Sequence, residues 1–211
     1  MKLLLTSAGI RNKSLADSLQ ALAGKVPAEL KVGFIQTAAN IEPGNKDWFL
    51  TQLERLHSYG YQWIDIIDIA DAGVDWRQRV AVVDVLVVSG GNTFYLLDQM
   101  RKSGFDQWLK ENIDSKVYVG ISAGSIVMTP SIAIAGIDNG DINYSAVTDL
   151  TGLAFVPFEV SPHTPESVSH EGNKKYKQGI QNELYALDDS SAIQVVGGDV
   201  KVISEGVWVK Y

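Results

Sequence analysis

A serine lies between two glycines in Gly120-Ile121-Ser122-Ala123-Gly124, and a hydroxyl held in that pattern can attack a carbonyl carbon. Apolar residues 117–119 lead into it and residues 125–128 lead out, which reads as a strand turning sharply into a helix. At such a bend the serine backbone is strained, and a side chain at either flanking position would strike the neighbouring strand or helix, so glycine suits both. The Ser122 hydroxyl then projects above the sheet, and the amide of Ala123, at the helix start, can donate to an oxyanion. With 19 glycines in 211 residues the pattern arises by chance in roughly one such chain in ten, so its weight depends on its partners.

A nucleophilic serine needs a base. The chain has three histidines. His57 lies on an amphipathic helix, where a surface or packing role is usual, and His170 lies in the polar stretch 166–177. His163 follows an apolar run, 158–160, and is bracketed by Pro162 and Pro165, which hold a loop at a strand end without helix or ladder. Ligands and reacting groups in open parallel sheets gather at the carboxyl ends of strands, where Ser122 also belongs, so His163 is the candidate base. A second oxyanion donor should come from a neighbouring strand end, and Gly90-Gly91-Asn92 is such an end: glycine lets an amide approach a reacting oxygen, and Asn92 suits a helix cap.

The elements that must position these groups alternate along the chain. Strands are expected at 2–6, 31–36, 61–69 (nearer a sheet edge), 83–89 and 117–121. Helices are expected after Asn12 or Ser14, over 47–59 with an apolar stripe of Leu50, Leu53, Leu56 and Tyr59, over 75–82, after Asn92 or Thr93, and over 105–112. This alternation predicts an α/β fold, a mostly parallel sheet with helices on both faces. Beyond Met128 the pattern changes: a loop or hairpin at 132–142, a helix over 173–183, then strands at 184–188, 192–196 and 201–210, with Gly197-Gly198-Asp199 turning a short C-terminal hairpin.

Length fits one domain, 1–211, and 45% hydrophobic with 20% charged residues suits a packed core. A net charge of -7, with Lys174, Lys175 and Lys177 the only dense basic cluster, argues against nucleic-acid or anionic-membrane partners. No cysteine means no disulfide or thiolate metal site, and the three-leucine run near the start is too short for a signal peptide, so a cytoplasmic setting is expected.

Three motifs in order, GGNTF at 90–94, GISAGS at 120–125 and SPHT at 161–164, resemble the aspartyl dipeptidase (dipeptidase E) family of serine peptidases, whose relatives include cyanophycinases. The resemblance implies a three-layer α/β/α fold of the class I glutamine-amidotransferase-like (flavodoxin-like) kind, with serine in place of that superfamily's cysteine. It implies a triad of Ser122, His163 and an acid, with the amides of Gly91 and Ala123 as oxyanion hole and no metal or cofactor. The stretch LDDSSAIQV puts Asp189 at the acid's position, and Asp138 is the rival because family members carry an acid shortly after the nucleophile. The family selects an N-terminal aspartate with an arginine placed after the histidine. This chain has Lys174 and Lys175 there, poorer carboxylate clamps than arginine. Those lysines and Asn92 are the candidate substrate contacts. The function expected is hydrolysis of short peptides through an acyl-enzyme; an esterase or amidase, or a silent ligand-binding domain, are the alternatives.

Overall fold

The computed structural model describes residues 1–211. Five strands come first: β1 (Lys2–Thr6), β2 (Lys31–Ile35), β3 (Trp63–Ile67), β4 (Val85–Val88) and β5 (Val117–Ile121). Five more follow: β6 (Glu159–Ser161), β7 (Leu184–Leu187), β8 (Ser191–Val196), β9 (Asp199–Ser204) and β10 (Trp208–Lys210). The main sheet runs β3-β2-β4-β5-β1-β8-β9, its first five members parallel and β8 and β9 antiparallel. A smaller sheet runs β10-β7-β6. Alternation along the central strands explains the layers. Leu3, Leu5, Leu86 and Val88 enter one buried cluster while Leu4, Val85 and Val87 enter the other, so each face needs its own cover of helices. β3 lies at the edge, as its mixed pattern predicts, and leaves Trp63 and Ile66 exposed.

Helices α1 (Lys13–Ala23), α2 (Asp47–Ser58), α3 (Trp76–Ala81), α4 (Thr93–Ser103), α5 (Phe105–Asn112), α6 (Ala123–Ile126) and α7 (His170–Lys177) complete the chain. Asn12 caps α1, its carboxamide oxygen accepting from the Leu15 amide at 3.0 Å, and Asn92 caps α4 in the same way through the Tyr95 amide at 3.0 Å. α1 and α2 cover one face, α3, α4 and α5 the other.

Three expectations need correction. The apolar stripe on α2 holds only in part: Leu56 is buried and Leu53 and Tyr59 pack against the core, but Leu50 is 53% exposed and the polar Gln52 is buried. The helix expected at 173–183 starts earlier, at His170, because the Ser169 hydroxyl caps it by accepting from the Gly172 amide at 2.9 Å. The strand expected at 201–210 splits between sheets, since β9 pairs with β8 and β10 with β7. Asp188 fixes that split: its carboxylate accepts from the amides of Ser190 (3.0 Å) and Val207 (2.6 Å) and from the Ser191 hydroxyl (2.6 Å). The stretch 132–142, expected as a loop or hairpin, is a loop that holds a short 3-10 turn, Ala133–Gly136.

Candidate active site

β1 and β5 are neighbours, and their carboxyl ends are stitched together. The Ser122 amide donates to the Thr6 carbonyl at 3.0 Å, the Ser125 hydroxyl to the same carbonyl at 2.8 Å, and the Thr6 hydroxyl to the Gly120 carbonyl at 2.7 Å. Between β5 and α6, Ser122 sits at φ 49°, ψ -107°, a conformation that costs a non-glycine residue about 1–3 kcal/mol. The flanking glycines are required by contact: a Cβ at Gly120 would lie 2.6 Å from the Gly124 carbonyl oxygen, and one at Gly124 would lie 2.2 Å from that of Val88. This is the sharp strand-to-helix bend that the sequence pattern predicts.

His163 Nε2 stands 2.9 Å from Ser122 Oγ, and His163 Nδ1 stands 2.6 Å from Asp189 Oδ1. The imidazole is fixed from its backbone as well. The His163 amide donates to Ser7 Oγ at 2.8 Å, and that hydroxyl in turn donates to Asp189 Oδ1 at 3.2 Å. Asp189 occupies the turn just before β8, beside β1, and the Ser7 amide donates to the Ser191 carbonyl at 3.2 Å, so a short aspartate reaches the histidine. Arg11 forms an ion pair with the far oxygen of Asp189. Burial pushes the Asp189 carboxyl up, but its bond to His163, the charges of His163 and Arg11 and the Ser7 hydroxyl outweigh burial and hold it below the ordinary value. Asp189 is therefore a stable anion next to the imidazole.

The loop Gly90-Gly91 lies against this group. A Cβ at Gly90 would lie 3.3 Å from Ser122 Cβ, and Gly91, at φ 130°, passes so near Ala38 that a Cβ would lie 2.3 Å from its carbonyl oxygen. Neither the Gly91 nor the Ala123 amide bonds to another group of the protein, which leaves two donors next to Ser122.

The remaining sequence candidates lie elsewhere. Asp138 is exposed, and its carboxylate accepts from the Ser169 amide (3.0 Å) and hydroxyl (2.8 Å), securing the start of α7 rather than His163. Asn92 is fully buried and spent as cap and tether, its Nδ2 donating to the Ile142 carbonyl at 2.8 Å, so it is not a substrate contact. Lys174 and Lys175 are exposed on α7 and take no part in the cleft lining. His57 is exposed on α2, and His170 pairs through Nδ1 with the Tyr211 hydroxyl at 3.0 Å.

A cleft of about 450 Å³ opens over Ser122, and only 3 of its 15 lining residues are hydrophobic. Its cations are Arg11 and Arg55, and Glu42 and Asp141 add carboxylates to the Asp189 already described. Burial, and then the nearby Arg11, push the Arg55 guanidinium down, while burial pushes the Asp141 carboxyl up despite the Thr93 hydroxyl and amide that bond it. The sequence analysis singled out none of Arg55, Gln52 and Ser7. A signal existed for Ser7, which ends the strand next to β5; Arg55 reads like any charge on an amphipathic helix.

The sequence matches the profile of peptidase family S51 over residues 3–203. The chain belongs to peptidase family S51. It is a peptidase by that membership, and its mostly parallel α/β fold matches that of a solved structure assigned as a peptidase E. It is 27% identical over 176 residues to an uncharacterized peptidase from Pasteurella multocida strain Pm70, covering 82% of this chain and 84% of that one. A segment of 90 residues, 42% of this chain and 36% of its relative, is 34% identical to a peptidase E from Shewanella sp. strain ANA-3. A crystal structure of a Listeria monocytogenes protein assigned as a peptidase E superposes with a TM-score of 0.82 at 26% identity, covering 97% of this chain and 98% of that one. A peptidase from an acI-B1 Actinobacterium, with a TM-score of 0.70 at 20% identity over 98% of this chain and 88% of that one, shares the fold.

Proposed function

We propose that this S51 peptidase hydrolyses short peptides, dipeptides foremost, through an acyl-enzyme on Ser122. The observation that carries the reading is the continuous chain from Ser122 Oγ to His163 Nε2 at 2.9 Å and from His163 Nδ1 to Asp189 Oδ1 at 2.6 Å. His163 takes the hydroxyl proton as Oγ attacks the scissile carbonyl, and Asp189 orients the ring and stabilises the imidazolium. The amides of Gly91 and Ala123 hold the tetrahedral oxyanion. His163 then gives the proton to the departing amine, the C–N bond breaks, and water repeats the sequence on the acyl ester to release the acid and restore the serine.

A polar cleft with charges of both signs fits a small zwitterion better than an apolar ester. Preference for an acidic N-terminal residue needs a cation in that cleft. Arg11 is engaged by Asp189, so any such preference falls to Arg55. The test is a dipeptide panel scored for released amino acid. Wild type should hydrolyse part of it, and Ser122→Ala and His163→Ala should each lose several orders of magnitude in kcat. Full activity in Ser122→Ala would end the proposal.

A further inference from the structure

We propose that Gln52 and Arg55, on the cleft face of α2, together bind a carboxylate of the substrate beside Ser122. The inference rests on reading this cleft as the substrate site. Trp48, Thr51, Gln52 and Arg55 all line it, and their spacing of three, four and seven residues places them on one face of the helix. That face, not the leucine stripe, is the functional one.

Two of its side chains have donors with nothing to bond in the protein. Gln52 is only 8% exposed, its Oε1 is buried without a partner, and its Nε2 makes no hydrogen bond within the chain. The unpartnered Oε1 is an acceptor and calls for no anion; the group free to meet an incoming acceptor is the Nε2 donor. Its location says where. A Cβ built on Gly90 would lie 3.6 Å from Gln52 Nε2 and 3.3 Å from Ser122 Cβ, so the carboxamide and the nucleophile flank the same loop.

Arg55 lies three residues further along the helix and is half-buried. It forms no ion pair, and its one bond, from Nη1 to the Ala8 carbonyl at 3.3 Å, leaves most of its five N–H donors free. Arg11 and burial both disfavour its charge, and an incoming anion relieves that cost. A guanidinium fork plus a carboxamide N–H is a donor set for a carboxylate; an ammonium would be repelled. The exposed lysines of α7, Lys174 and Lys175, offer no such enclosure.

The carboxylate has two possible sources in a short peptide: an acidic N-terminal side chain or the free C-terminus. Calorimetry in a Ser122→Ala background separates them and keeps binding apart from turnover. The ligands are Asp-Leu, its neutral isostere Asn-Leu, and Asp-Leu amide. One of the two Kd ratios, isostere over acid or amide over free acid, should reach about tenfold, the worth of a charge-assisted contact. Arg55→Gln and Gln52→Leu should each collapse that ratio toward one, Gln52→Glu should lower it further by repulsion, and Arg55→Lys should keep part of it. Lys174→Ala with Lys175→Ala should leave it unchanged. The ratio that collapses names the source. Ratios near one in the parent protein, no binding of any ligand, or a ratio that survives both Arg55→Gln and Gln52→Leu would overturn the inference. Loss of hydrolysis on Ser122→Ala with ratios near one would sink the carboxylate site alone. Full hydrolysis with the ratios intact would sink only the serine mechanism.

Discussion

Ser122 and His163 both hold positive φ, 49° and 56°, and both are fixed there by bonds to the end of β1 and its neighbour Ser7. Strain of this kind persists only where surrounding bonds over-determine it, and here it aims a hydroxyl at an imidazole. Among the acids, geometry separates two that sequence left open. Asp189 bonds Nδ1 of His163, whereas Asp138 serves the cap of α7. Asp189→Asn should therefore lower kcat by about 10⁴-fold, because the ring loses its orienting anion. Asp138→Asn should leave kcat/KM within about twofold, as its carboxylate touches no reacting group. Both are read from steady-state rates on one cleaved dipeptide, and equal losses would contradict the assignment. Ser122, His163 and Gly91 were legible from sequence because glycine and proline mark backbone that only special positions need. Asp189 was legible only through family resemblance, since an aspartate beside serines otherwise reads as a turn residue.

At the scale of elements, the β5–α6 bend depends on contacts too close for any side chain. Gly124→Ala would press a methyl to 2.2 Å from the Val88 carbonyl oxygen, a backbone atom of a fully buried strand that cannot yield cheaply. The expected cost is about 3 kcal/mol or more, read as a drop in the urea midpoint at constant m. A loss under about 1 kcal/mol would mean that strand and helix are less tightly joined than described. The parallel strands were readable because burial on both faces makes them continuously apolar. On α2, Leu53, Leu56 and Tyr59 pack on the core as their spacing suggests, but the helix also turns a polar face, with Gln52 and Arg55, to a cleft formed by loops far away in sequence, and no local period reveals that. The split of β9 from β10 was hidden for a similar reason. It depends on Asp188 bonding Val207 across 19 residues, which no local period reveals.

Across the whole molecule, the main sheet brings the carboxyl ends of β1, β4 and β5 and the turn before β8 to one edge, and from there come Ser7, Gly91, Ser122 and Asp189. His163 arrives from the smaller sheet, after β6, so the site joins both sheets. No helix is long and apolar enough to cross a membrane. Layer architecture follows from period and burial, but strand order and the cleft's chemistry depend on tertiary approach. One measurement tests the central claim most directly: intact-mass and peptide-mass analysis after treatment with a fluorophosphonate. The account predicts a single adduct on Ser122, formed faster than on any other serine and abolished in both Ser122→Ala and His163→Ala. An unlabelled protein, or an adduct that persists unchanged without His163, would contradict it.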